Sequence, residues 1–294
     1  MRNYVNIILI IVINYSFASD QVPAPEQKHP ILLKNCNIHT VSGEEIRGGS
    51  ILFEKGIITG VASRIANLPE NTEIIDLKGK HVYPGLIAAS SVIGLTEIGA
   101  VAVTRDFSER GEVNPNVRAE VAYNPDSEII PVTRSNGITL VHSCPTGGII
   151  SGTSAIMMLD GWTWEKAILK APAGLHINWP NMGAVGRWGH RVSEEDAAKR
   201  REETLKKLDS AFDEARRYLV AKQADTGSGI IKHNKDLRWE AMVPVLKKEV
   251  PVFMHAGEIR QIISAVEWAN RQNVKIVIVG GYDAWRVADL LNKY

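Results

Sequence analysis

The chain has 294 residues, of which 45% are hydrophobic, enough to bury a core in one large domain with a small one beside it. Its formal charge of +1, with no basic stripe carrying interleaved aromatics, argues against nucleic acid as a partner. Its two cysteines, Cys36 and Cys144, form no metal-binding pattern in the sequence and are expected as free thiols in different domains.

Residues 1–19 read as a secretory signal peptide. Arg2 supplies a positive start, Ile7 to Ile13 is an apolar run short for a bilayer, and Ser16-Phe-Ala18 ends it with small outer residues. Cleavage is expected near Ala18 or Ser19. The protein would then be exported, periplasmic or extracellular, with no stable membrane span. An uncleaved N-terminal anchor is the other reading of this run. Residues 20–29 are polar with Pro23 and Pro25, a flexible lead-in.

Residues 30–85 read as short strands. Ile31 to Ile38 is the first. Gly49–Phe53 and Ile57–Val61 flank Glu54-Lys-Gly56, a hairpin signal. Thr72–Leu77 and His81–Tyr83 flank Lys78-Gly-Lys80 and read as a second hairpin. A β unit of this size would bury its apolar face against something else.

From Leu86 the pattern alternates strand with helix. Leu86 to Val92 is apolar with small residues, the composition of a buried parallel strand. A charged stretch follows, with Arg105, Asp106, Glu109, Arg110, Glu112 and Arg118, expected as a solvated loop. Ser127–Asn136 is a helix candidate and Gly137–His142 a strand. Cys144 to Thr153 is a Gly-rich loop, without the Lys and Ser/Thr spacing of a phosphate-binding loop. Ser154–Leu159 and Ala173–Trp179 are strands. Ser193 to Ala224 is a long helix, capped by Ser193 with Asp196, whose Leu205, Leu208, Phe212, Ala215 and Leu219 form one apolar stripe. The chain closes with a helix over 236–248, a strand over 250–255, a helix over 259–272, a strand over 275–279 and a helix over 283–291.

Three phrases carry a resemblance. They are Val82-Tyr-Pro-Gly-Leu-Ile87 at the end of the β domain, Gly147 to Ser154 followed by Leu159-Asp-Gly-Trp-Thr-Trp164, and Pro251-Val-Phe-Met-His255 with Lys275 to Gly281. Together they resemble the amidohydrolase superfamily, in its imidazolonepropionase-like branch. The resemblance implies a (β/α)8-type barrel over residues 86–294 with a small N-terminal β-sandwich. About six of eight strands are found, so the barrel is expected to be incomplete at its C-terminus. The implied activity is hydrolysis of carbon–nitrogen bonds other than peptide bonds. The implied cofactor is a divalent metal, Zn, Fe or Mn, that activates a water.

Carried over by position, the resemblance places a His-x-His pair after the first barrel strand, where this chain has Ser90 and Val92. The fifth-strand histidine corresponds to His255, the expected metal ligand. The sixth-strand histidine falls on Gly280 or Gly281. No catalytic residue is assigned. Strand alternation puts His176 and Asn178 on one face, a candidate barrel-mouth pair. His142 reads as a strand-end residue, His190 and His233 as loop residues, and His39 and His81 as parts of the β domain. The metal site is therefore expected to be degenerate. The alternative function is a non-catalytic exported barrel, without metal, that binds a small ligand or a protein. A homo-oligomer or a completing chain is the expected protein partner.

Overall fold

The computed structural model describes residues 22–184, 192–224 and 234–294. The expected signal peptide lies outside the described residues, as do His190 and His233. The chain divides into two compact units. One contains residues up to Leu86 with Gly137–Thr139, the other Ile87–Asn136 with Leu140–Tyr294.

The first unit holds β1 (Ile31–Ile38), β2 (Ile46–Glu54), β3 (Ile57–Ala62), β4 (Glu73–Asp76) and β5 (His81–Val82). Its described residues form one five-stranded sheet in the order β3-β2-β1-β4, with β5 also on β1. The second layer that a sandwich needs is not among them. The hairpin of β2 and β3 turns at Lys55 and Gly56, both at positive φ, as the sequence reading expects. The expected hairpin of β4 with β5 does not form. Both strands run parallel to β1, one after the other. The reason lies at the turn. The Gly79 N–H donates to the Asn35 carbonyl at 2.7 Å and the Asn37 N–H to the Lys80 carbonyl at 2.9 Å, so the chain steps along β1 without reversing. Asn35, Lys78 and Gly79 all take positive φ to make that step.

A second sheet consists of β6 (Leu86–Ser91), β7 (Ile138–Ser143), β8 (Ile150–Met158), β9 (Ile168–Asn178), β10 (Val252–Ala256) and β11 (Ile276–Gly280), and apart from Leu86, Ile138 and Thr139 these strands lie in the second unit. These six strands lie side by side in sequence order. The Leu86 N–H meets the Gly137 carbonyl and the Cys144 N–H the Ser91 carbonyl, so β6 and β7 run parallel. β9, β10 and β11 are also parallel to one another, while β8 is antiparallel to both neighbours. This corrects the expected all-parallel alternation, and it takes the end of the supposed Gly-rich loop, from Ile150 to Thr153, into β8. The cause is connection length. Neither Cys144–Ile149 nor Leu159–Ala167 has the dozen or more residues of a parallel crossover. The result is a mixed α/β sheet rather than eight parallel strands.

The helices are α1 (Ile129–Ser135), α2 (Trp164–Ala167), α3 (Glu194–Ala224), α4 (Leu237–Leu246), α5 (Ile259–Gln272) and α6 (Ala288–Lys293). Ser193 caps α3 as expected, its hydroxyl accepting from the Asp196 N–H at 3.0 Å. The α3 stripe buries Leu208, Phe212 and Ala215 against Trp239 and Met242 of α4 and Trp268 of α5. No helix among the described residues is long and apolar enough to cross a membrane.

Alternation along β9 and β10 separates two faces. Leu175, Ile177, Val252, Met254 and Ala256 join the helix-covered core. His176, Phe253 and His255 point to the opposite face. The terminal strand β6 is not buried as expected: Leu86 is 60% and Ile87 59% exposed. An edge strand has a neighbour on one side only, and no helix of the core cluster packs on β6.

Candidate functional site

Four strands bring polar side chains together on the face opposite the helices. β7 contributes His142 and, just past its end, Cys144. β8 contributes Ser154, β9 His176, and β10 Phe253 with His255. The backbone register pairs His176 with Phe253 and Asn178 with His255, which sets the two histidines diagonally across neighbouring strands. Their rings meet at His176 Nδ1 and His255 Nε2, 2.9 Å apart. The Phe253 ring stacks on His176 at 5.1 Å between centroids and tilts against His142 at 4.8 Å. On the far side, His142 Nε2 lies 2.7 Å from the Ser154 hydroxyl, which in turn donates to the Gly174 carbonyl at 3.3 Å.

Burial governs the electrostatics. His176 is wholly buried, His142 nearly so, and His255 half-buried. Desolvation disfavours the imidazolium, and the two neighbouring rings would add like charge, so the His176 pKa is pushed down to about 3. Burial also lowers His142 and His255. All three are neutral imidazoles at pH 7. Burial pushes the Cys144 thiol up to about 12, against the smaller opposing effect of a hydrogen bond with Ser90. Cys144 is a protonated thiol there, its Sγ 3.2 Å from the His142 carbonyl. The two cysteines are free, as expected.

The residues singled out by the sequence fare differently. His255 and His176 come together. Asn178 is drawn away, its amide donating to the Gly147 and Gly148 carbonyls at 3.3 and 3.0 Å and to the Ser151 hydroxyl at 3.0 Å. It closes the β7–β8 turn instead of facing the histidines. Ser90, at the end of β6, takes a left-handed φ of 52° and turns to Cys144. His142, Cys144 and Ser154 are the members the sequence reading missed. The spacing of His142 and Cys144 was the available signal, since residues two apart in extended chain share a side.

Gly152 opens room for this arrangement. It pairs with His176 at an irregularity of β8 and has a φ of 132°. A Cβ there would lie 2.6 Å from the Val117 carbonyl oxygen, a backbone atom that cannot swing aside.

No family model matches the chain. Amidohydrolase tasK of Hapsidospora irregularis is 22% identical over an alignment of 309 positions, gaps included, that covers 90% of this chain and 30% of that relative's length. The crystal structure of an amidohydrolase from Thermotoga maritima MSB8 superposes with a TM-score of 0.75 at 26% identity, covering 89% of this chain and 67% of the other. These two likenesses support assigning the chain to the amidohydrolase superfamily. Chemistry in the superfamily generally depends on metal, so the donors matter. Ser90, Val92, Gly280 and Gly281 carry no imidazole. Among the described residues, the group with the donors and spacing to hold an ion is His142, Cys144 and His176.

Proposed function

We propose that this chain carries an amidohydrolase-type activity, the hydrolysis of a carbon–nitrogen bond other than a peptide bond in a small molecule. The scaffold would be a barrel of the (β/α)8 type, exported to the periplasm or the medium. The observation that carries the reading is the His176–His255 contact on adjoining parallel strands of a superfamily sheet. With His176 donating from Nδ1, His255 accepts at Nε2 and keeps its own proton on Nδ1. Being neutral and half-buried, it offers that N–H to a substrate carbonyl and withdraws charge as water adds to the carbon. A hydrogen-bond donor used in this way contributes about 10²–10³ in kcat.

The assay follows product release from cyclic amides, cyclic imides and N-acyl amino acids. His255→Ala is expected to lower kcat/KM for the accepted probe about 10²-fold or more. A variant as fast as the parent would remove His255 from the chemistry. Turnover of none of the probes would favour the second reading, a non-catalytic barrel that binds a small ligand. Ser90 and Val92, in place of a histidine pair, are the observation on that side. The export proposal rests on Arg2 and the Ile7–Ile13 run. It predicts a mature N-terminus near Ser19 by mass spectrometry, and a retained Met1 would refute cleavage. The exposed edge strand β6 supports a homo-oligomer or a completing chain as protein partner.

A further inference from the structure

We propose that His142, Cys144 and His176 form a binding site for one thiophilic divalent cation, with zinc the ion best matched to two imidazoles and a thiolate. The site uses none of the positions at which the resemblance places metal, and it does not depend on the hydrolase reading. Three independent features support it. The first is placement. The donor atoms of the three residues lie within 4.8 Å of one another and all three residues are buried. A tetrahedral ion with bonds of roughly 2.0–2.3 Å would need them about 1 Å closer, a shift within reach of side-chain rotation.

The second feature is an orphan. His176 Nε2 is buried and has no hydrogen-bond partner. A buried polar atom left so is unusual and destabilising, and an ion bound there would remove the deficit.

The third feature is the outer contacts. With the Ser154 hydroxyl giving its hydrogen to the Gly174 carbonyl, His142 would donate to Ser154 from Nε2 and keep a lone pair on Nδ1. With His176 donating from Nδ1 to His255, its unpartnered Nε2 would carry the lone pair. Each ring is thus held by a hydrogen bond on one nitrogen with a lone pair on the other. That is the arrangement that outer contacts impose on metal-bound histidines. Burial keeps both rings neutral and so ready to coordinate. Cys144 must release its proton as it binds, so the ion should be taken up more tightly as pH rises.

The test is a titration of chelator-treated protein with Co²⁺ and Zn²⁺, read by absorption and calorimetry and not by activity. One equivalent of Co²⁺ should produce a thiolate-to-cobalt charge-transfer band in the near ultraviolet, and one of Zn²⁺ should bleach it. Cys144→Ser should abolish the band. Ser154→Ala and His255→Gln, which alter only the outer contacts, should keep the band and weaken binding about 10–100-fold. His39 and His81 form an exposed pair in the first unit, with nitrogens 2.7 Å apart, and are the obvious competitor for added metal. His81→Ala should leave the titration unchanged. Thermal melts of each variant establish that it is folded. A titration with no charge-transfer band, a band that survives Cys144→Ser, or binding lost with His81→Ala would each overturn the proposal.

Discussion

Trp268→Ala should lower the stability of the second unit by about 3–5 kcal/mol, the usual cost of emptying a buried aromatic position. Trp268 on α5 is 1% exposed. Its ring meets Phe212 of α3 edge-on at 4.9 Å and Trp179, beyond β9, at 5.6 Å. Three elements far apart in sequence therefore close on one side chain. Its indole N–H also donates to Asp209 at 2.8 Å, and Gln272 donates to the same oxygen at 2.9 Å. Truncation leaves both a cavity and a poorly paired carboxylate. Trp268→Phe keeps most of the volume and drops the hydrogen bond, so its cost should be nearer the ~1 kcal/mol of one such bond. Urea unfolding of the three proteins separates the terms. A loss below ~1 kcal/mol for Trp268→Ala would mean that this junction does not hold the helices to the sheet.

The second large effect is acid lability of the ion-free protein. The native pKa of His176 is near 3, below the ~6.5 of an unfolded histidine. Between these values the unfolded chain binds a proton that the native state refuses. Stability is therefore complete above pH ~6.5 and falls as pH drops through the window toward ~3. Each pH unit costs about 1.4 kcal/mol, so moving from pH 6.5 to 4.5 should remove roughly 2–3 kcal/mol through His176 alone. His142 and His255, lowered by burial, act in the same direction. Denaturation with a chelator present, at several pH values, measures the slope. His176→Leu should flatten it, and an unchanged slope in that variant would show that the acid effect originates elsewhere.

Much of this molecule is legible in local pattern. α5 runs over the residues its periodicity marks, because its apolar stripe is strong and Asn273, at a φ of 58°, ends it. The α3 stripe and its Ser193 cap are equally local. The direction of β8 was not legible from its own residues. It follows from how short its two connections are, a property of the neighbouring segments. The cluster was half legible. His255 stands out at the end of an apolar strand, and His176 follows from alternation. That His176 and His255 touch across 79 residues is a tertiary fact. Asn178 shares a face with His176 by parity, yet its amide is taken by the Gly147–Gly148 turn. Parity fixes a side of the sheet, not a hydrogen-bond partner.

One consequence of the strand order concerns how the molecule is made. Because β6 to β11 lie in the order in which they are synthesised, each new strand pairs with the one just before it. The sheet can grow by addition at one advancing edge, with β9 alone waiting for its mate β10 across two helices. His142 and Ser154 meet once β8 folds back on β7, and His176 joins with β9. His255 comes last, after the whole of α3 and α4 has emerged. A nascent chain stalled before β10 would already contain the three donors proposed to bind an ion, without the histidine that orients one of them. Synthesis of the three donors and completion of the histidine pair thus fall at different points along the chain, the donors first.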